Sequence, residues 1–357
     1  MNMFIFVFFL ILIISPFLYF LYIFKKFPKQ YKYILIGLST LSIIVMLLKM
    51  MNQPYSSFFF ILTLIIQVYI ITVFISAMLC FLYKLFIRFT HKTFYSKALV
   101  YMFIGSMIFT CFGFYSHFHK TIKDYEITVN KESSLKELKI GMVSDIHLST
   151  GTYLYDLNNL VESFNKQDYD LVFFCGDIFD ESTPYSMIED ALEIFSQIKT
   201  TYGMYAVAGN HEHYANFLDE NLYKKNNITY LNQKYECIDG LFNIVGRDDV
   251  RSQNNISIED ICKGMDTSLP TFVLDHNPIR YLEAEDIADL QVSGHTHGGQ
   301  FFPITLATKP LYDNTYGLLQ NDNYSLIVSS GYGSWGFPFR FLTECEYVNI
   351  AVTFDKK

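Results

Sequence analysis

No aspartate or glutamate occurs before Asp124, so all 35 acidic residues lie within positions 124–357. The first 123 residues carry 11 of the 27 Lys and Arg, and the remainder sets 16 positive charges against 35 negative ones, a formal −19. Such a chain is two materials joined end to end. The front is apolar and basic, suited to lipid, and the rest is acidic, suited to water. The acidic part is a poor match for a nucleic-acid backbone, so no nucleic-acid partner is expected. Anionic substrates stay compatible, because bound metal ions reverse the local field.

Four apolar runs precede the acidic part, at about 3–24, 33–50, 57–83 and 99–115. Crossing hydrocarbon takes about 20 residues, with a short limit near ~17. The first and third runs exceed that length and the other two approach its limit. The first has no basic leader and no small-x-small cleavage pattern after it, so it reads as a retained span, not a secretory signal. The expected organisation is a four-span transmembrane region over 1–115, a linker with a possible edge strand over 116–135, and a soluble domain over 136–357. Lys25, Lys26, Lys29 and Lys32 follow the first run, and Lys84, Arg88, Lys92 and Lys97 precede the fourth. The connection between the second and third runs has only Lys49 near it. The positive-inside rule makes the two basic connections cytoplasmic. The expectation is a multi-pass cell-membrane protein, in contact with membrane lipids, whose acidic domain is extracellular. Lys120 and Lys123, after the last run, are candidates to meet anionic lipid there.

Within the acidic part, apolar strands alternate with helical spacing. Leu138–Val143, Tyr169–Cys175 and Met204–Ala208 read as strands, with helices near Leu157–Asn165 and Met187–Ile198 between them. This repetition predicts an α/β core. Short strands follow at Thr229–Leu231, Leu241–Val245, Thr271–Leu274, Leu290–Val292 and Leu326–Ser329, giving a layered, strand-rich (α+β-like) domain with helices outside. Tyr125–Val129 is a candidate edge strand. The four distal cysteines include no close pair, and Cys175, ending the run Leu171–Phe174, reads as core.

Polar motifs sit where apolar strands stop. They are Asp145–Ile146–His147, Gly176–Asp177, Gly209–Asn210–His211, Asp275–His276 and Gly294–His295–Thr296–His297. Loops at strand ends bring distant residues to one mouth. Carboxylates suit hard divalent ions and imidazoles suit borderline transition ions. The Asp-x-His and His-x-His spacings would let alternate side chains of an extended segment point the same way. Glycines 176, 209 and 294 permit tight turns. Six of the nine histidines (147, 211, 213, 276, 295, 297) fall in these motifs, which argues for a joint metal site.

The ordered set Asp-x-His, Gly-Asp-x-x-Asp, Gly-Asn-His-Glu, a later His and Gly-His-Thr-His resembles the calcineurin-like metallophosphoesterase superfamily. Gly-His-Thr-His-Gly-Gly-Gln and the final Arg-Phe segment resemble its bacterial membrane-associated branch. The resemblance covers about 136–355. It implies two β-sheets packed as a sandwich flanked by helices, and two divalent transition-metal ions per chain, Mn, Fe or Zn. Asp145, His147 and His297 would hold one ion and Asn210, His276 and His295 the other, with Asp177 bridging both. His211 would lie over the phosphate and assist the departing group. Glu181 stands where the protein-phosphatase branch has Arg-Gly, which argues against a phosphoserine or phosphothreonine phosphatase.

The implied activity is hydrolysis of a phosphate ester, phosphodiester or pyrophosphate, on a phosphorylated small molecule or a lipid-linked phosphate. Two readings of another class compete with it. One is a noncatalytic metal-dependent binding or sensor module on a membrane anchor. The other is a transporter, which the absence of Asp and Glu from the apolar runs disfavours. Several neighbours of the motifs stay open. Asp180 orders its loop, supports a metal ligand from behind or is a solvated acid, Glu212 orients the His211 loop, and His213 is a substrate contact or a surface residue. Arg340 is a candidate partner for a substrate phosphate or a local acid. The aromatic, glycine-rich run 331–340 is either a lip near lipid or internal packing.

Overall fold

The computed structural model describes residues 57–93, 95–148, 152–217, 219–302 and 304–355. The first two apolar runs and the lysines between them lie outside these residues. The third and fourth runs are helices α1 (Ser57–Thr90) and α2 (Ser96–Phe118). Within them, Leu62–Thr90 and Lys97–Phe118 are long and apolar enough to cross a membrane, at 29 and 22 residues with mean hydropathies of 2.4 and 1.7. A helix suits lipid because it satisfies its own backbone. The α2 hydroxyls follow suit: Ser106 Oγ donates to Met102 O at 2.7 Å and Thr110 Oγ1 to Ser106 O at 2.8 Å.

The chain divides into two compact units, Met1–Phe114 and Tyr115–Lys357. The second contains two six-stranded sheets. Its strands, in chain order, begin with β1 (Lys120–Val129), β2 (Glu137–Val143), β3 (Leu171–Cys175), β4 (Met204–Val207), β5 (Ile228–Tyr230) and β6 (Lys234–Ile238). They continue with β7 (Phe242–Gly246), β8 (Thr271–Leu274), β9 (Leu290–Ser293), β10 (Gly317–Asn321), β11 (Tyr324–Val328) and β12 (Cys345–Phe354). One sheet runs β1-β12-β2-β3-β4-β5 and the other β10-β11-β9-β8-β7-β6. Each has a parallel centre, β2 to β5 in one and β7-β8-β9-β11 in the other, with antiparallel pairs at β12–β2, β6–β7 and β10–β11. Both sheets are therefore mixed, and helices flank them.

Side chains alternate across each strand. Ile140, Phe173 and Val207 of the first sheet share one core with Ile244, Phe272 and Val292 of the second. On the first sheet's outer face, Val172, Phe174 and Ala206 pack with Leu160 and Phe164 of α3 (Leu154–Gln167) and Leu192 and Phe195 of α4 (Tyr185–Phe195). Burial on both faces explains why β3 and β4 are unbroken apolar runs. Cys175 lies in the inner core, its Sγ 3.1 Å from Val292 O, and all six cysteines are free.

The stretch 116–135 contains β1, which pairs along its ten residues with β12. Two lysines expected at lipid are engaged within the domain instead. Lys120 Nζ donates to the carbonyls of His117 and Tyr332 at 3.0 and 2.8 Å, and Lys123 pairs with Glu344 at 2.7 Å. His117, at the end of α2, is fully buried, with Nδ1 2.8 Å from Ser334 Oγ. The 331–340 run is largely internal: Tyr332 and Phe339 are buried, while Trp335 is half exposed.

Candidate active site

Parallel strands deliver the polar motifs to one edge of both sheets. Asp145 and His147 follow β2, Asp177 follows β3, and Asn210 and His211 open α5 (Asn210–Ala215) after β4. His276 follows β8, and His295 and His297 follow β9. Three sets of side chains bring their ligand atoms within 4.8 Å of one another: Asp145, His147 and His297; His147, Asp177 and His211; and Asp177, His276 and His295.

The backbone that carries these groups differs from the extended segments expected. Asp145, His147, Asp177, His295 and His297 all have positive φ, between 49° and 69°. Left-handed residues, not strand alternation, aim both members of each x-spaced pair. Non-glycine residues adopt this region at a cost of about 1–3 kcal/mol each, and persist there only when the surroundings enforce it. Of the three glycines, only Gly176 uses positive φ, at 77°. Gly209 and Gly294 are needed for close approach. A Cβ on Gly209 would lie 2.6 Å from Asp177 N, and one on Gly294 would lie 2.5 Å from Ser144 Oγ.

Glu212 enforces part of this geometry. Its buried carboxylate accepts the backbone N–H groups of Asp177, Ile178, Phe179 and Gly209 at 2.7–2.9 Å. It thereby ties the β3 turn to the β4 turn, a wider span than the His211 loop alone. Asp145 accepts the N–H of His295 at 3.0 Å, joining the two sheets' loops. The 331–333 backbone closes the other side, where Tyr332 N and Gly333 N donate to the carbonyls of Ser144 and Asp145 at 2.9 and 2.8 Å.

Hydrogen bonds set the imidazole tautomers. His276 Nδ1 lies 2.8 Å from Cys175 O and His147 Nδ1 lies 2.7 Å from Asp180 Oδ1. Each bond assigns a proton to Nδ1 and turns Nε2 inward, as outer partners of metal ligands do. Those inward nitrogens meet others: His147 Nε2 is 3.0 Å from His297 Nε2, and His276 Nε2 is 3.3 Å from His295 Nδ1. Asn210 Oδ1 is buried with no hydrogen-bond partner. Ring nitrogens crowded around buried carboxylates, with an orphaned amide oxygen beside them, call for cations between them, so this donor set fits divalent ions.

Charge follows the same plan. Burial opposes ionisation of Asp177, yet His276, His147 and His211 hold its carboxyl well below the usual range. Burial, with help from His276 and Arg251, pushes His295 down to about 3. Burial and then Arg340 push His297 well down. Both rings are therefore neutral bases. His211 is different. Burial works against its protonation, but hydrogen bonds to Asp180 and Glu181 raise it to about 11. Both carboxylates bind its Nδ1, at 3.1 and 3.0 Å.

Arg340 is wholly buried and meets no acid. It donates to the carbonyls of His297, Ser330 and Gly333 and to Ser334 Oγ, at 2.5–3.1 Å, and lies 3.0 Å from His297 Nδ1. His213 turns to Asp248, at 2.5 Å. The sequence reading passed over Glu181 as a partner of His211, as well as Tyr214 and Tyr312, whose rings lie edge-on to His211 and His295 at 5.5 and 6.2 Å. Tyr214, three residues beyond His211 on one helix, was a readable signal; nothing local marks Glu181 or Tyr312.

Residues 138–299 match the family of calcineurin-like phosphoesterases. A metallophosphoesterase of Helicobacter pylori is 35% identical over 249 residues, covering 66% of this chain and 64% of that one. The match thus spans under two thirds of that relative's length. One from Bacillus subtilis is 30% identical over 58% of this chain and 76% of its own. A transmembrane protein with a metallophosphoesterase domain from Danio rerio is 27% identical over 65% of this chain and 57% of its own. The clustered Asp and His side chains and the family match together make the second unit a metal-dependent hydrolase domain, carried behind helices able to anchor it in a membrane. With five motifs converging on one strand edge and relatives that share that domain, the chain belongs to the calcineurin-like phosphoesterases.

Proposed function

We propose that the domain hydrolyses a phosphate ester, phosphodiester or pyrophosphate at a two-metal centre, on a substrate at or near the membrane. The observation that carries this is Asp177, which belongs to two ligand sets at once while Asn210 Oδ1 has no partner. Asp145, His147, Asp177 and His297 would hold one ion, and Asp177, Asn210, His276 and His295 the other. Two divalent ions bound there supply Lewis acidity at the phosphoryl oxygens and make water a nucleophile near neutral pH. His211, protonated through its two carboxylate partners, donates a proton from Nε2 to the leaving oxygen. Asp180 bridges His147 and His211 and keeps acid and ligand in register.

A lipid-linked or envelope-associated substrate suits a domain tethered by apolar helices, and we assign the domain to the exterior. The charge pattern supports that side, and Lys120 and Lys123 no longer oppose it, since both are committed to groups inside the domain. Turnover of bis(p-nitrophenyl) phosphate by purified, metal-replete protein, lost in His211→Ala, is the expected result. Tight metal binding with no turnover of phosphomonoesters, phosphodiesters, nucleotide pyrophosphates or lipid phosphates would favour the noncatalytic binding module.

A further inference from the structure

Charged side chains stand on both flanks of the Asp and His cluster. On one, Asp180 and Glu181 approach His211 at 3.1 and 3.0 Å. On the other, Arg251 Nη1 donates to Tyr214 Oη at 2.6 Å, with its guanidinium 5.9 Å over the Tyr214 ring, which lies edge-on to His211. Its backbone is fixed, Arg251 N donating to Asp249 Oδ1 at 2.9 Å.

The acidic domain has four arginines. Arg247 pairs with Asp275 and Glu283, Arg280 with Asp275, and Arg340 is spent on backbone carbonyls. Among the described residues, Arg251 alone of the four has neither a carboxylate in ion-pair range nor a set of carbonyls to satisfy it. An exposed arginine in a domain of formal charge −19 would ordinarily find an acid. This one is held by a tyrosine beside the cluster, with most of its N–H fork unclaimed. A planar fork of donors matches the oxygens of a phosphate group.

We infer that Arg251 binds the second phosphate of a diphosphate ester whose scissile phosphorus lies over the Asp and His cluster. The inference rests on the phosphoesterase reading and narrows its substrate class. Asp180 and Glu181 face His211, Asp248 is paired with His213, and Asp249 accepts the Arg251 backbone N–H, so the side-chain donors left to meet a second anion are those of Arg251. In the reaction, the bond from the scissile phosphorus to the bridging oxygen breaks and one to a water oxygen forms. The bridging oxygen leaves on the second phosphate, and the leaving phosphate takes a proton from His211 or from solvent. No redox partner is needed. Arg251 offsets the charge that grows on the departing phosphate, an effect strongest in the transition state.

The test uses the full chain in detergent, loaded with Mn. Three probes are compared: bis(p-nitrophenyl) phosphate, with one phosphorus; ADP-ribose, a soluble diphosphate; and farnesyl diphosphate, a lipid diphosphate. In Arg251→Ala, kcat/KM should fall about 10- to 100-fold more on at least one diphosphate than on the simple diester. Arg251→Lys should restore part of that difference, and thermal unfolding of each variant reports folding. The diphosphate that responds identifies a nucleotide-like or a lipid source. Equal losses on all probes, no selective loss in either variant, or a wild-type enzyme that cleaves the simple diester but neither diphosphate would overturn the assignment. A wild-type protein that cleaves none of the three overturns the phosphoesterase reading itself.

Discussion

In the proposed site Asp177 bridges both ions and His297 holds one; among the observed clusters Asp177 and His147 each belong to two and His297 to one. Asp177→Asn should therefore lose metal from both positions, and turnover by more than the ~10–100-fold typical of removing an outer partner of a ligand. His297→Ala should be milder, and metal content measured beside steady-state rate checks the pair. The four imidazole donors should select Mn, Fe or Zn over Mg and Ca. Full activity of stripped protein with Mg alone would count against that donor set. Glu212 answers to stability. In Glu212→Gln, one acceptor oxygen becomes a donor facing backbone N–H groups, and urea unfolding should show a loss of about 2–3 kcal/mol. The residue types of this site were legible because each motif ends an apolar strand. Their geometry was not, since two residues separated by one can be aligned by extended backbone or by left-handed turns, and sequence does not choose between them.

At the scale of elements, the buried parallel strands were legible and the sheet borders were not. β3 and β4 are unbroken apolar runs, as burial on both faces requires, and β8 departs only at Thr271, whereas β9 buries Gln291 and Ser293 between its apolar residues. β6 and β10 lie at edges, where partial exposure leaves no apolar pattern. β12 was missed for a different reason. Its register places Glu346 in a buried position, where Ser330 N, Ser329 Oγ and Tyr316 Oη donate to its carboxylate at 2.8–3.2 Å. An acid satisfied by distant partners looks like a surface residue when read locally. β12 joins β1 to β2, so it couples the segment after α2 to the catalytic sheet. Ile350→Ala, at a buried position of the inner core, should cost about 2–5 kcal/mol in chemical unfolding.

At the scale of the whole molecule, the side of the membrane is open to direct measurement. Single cysteines placed near residues 30 and 255, in a background without the native six, should respond differently to an impermeant thiol reagent in intact cells. The site near 255 should label and the one near 30 should not; the reverse would put the domain in the cytoplasm and leave its chemistry untouched. The left-handed backbone of the five candidate ligand residues has a consequence for how this protein tolerates change. Glycine takes up that conformation freely, so at a position such as His295, glycine relieves about 1 kcal/mol of local cost. A library of variants enriched for heat resistance, with no demand for turnover, should accumulate glycine at His295, while Asp145 and Asp177 stay, because their carboxylates accept the backbone N–H groups of His295 and His211. Activity and robustness then pull the His295 codon in opposite directions, and only selection for the reaction keeps it as it is.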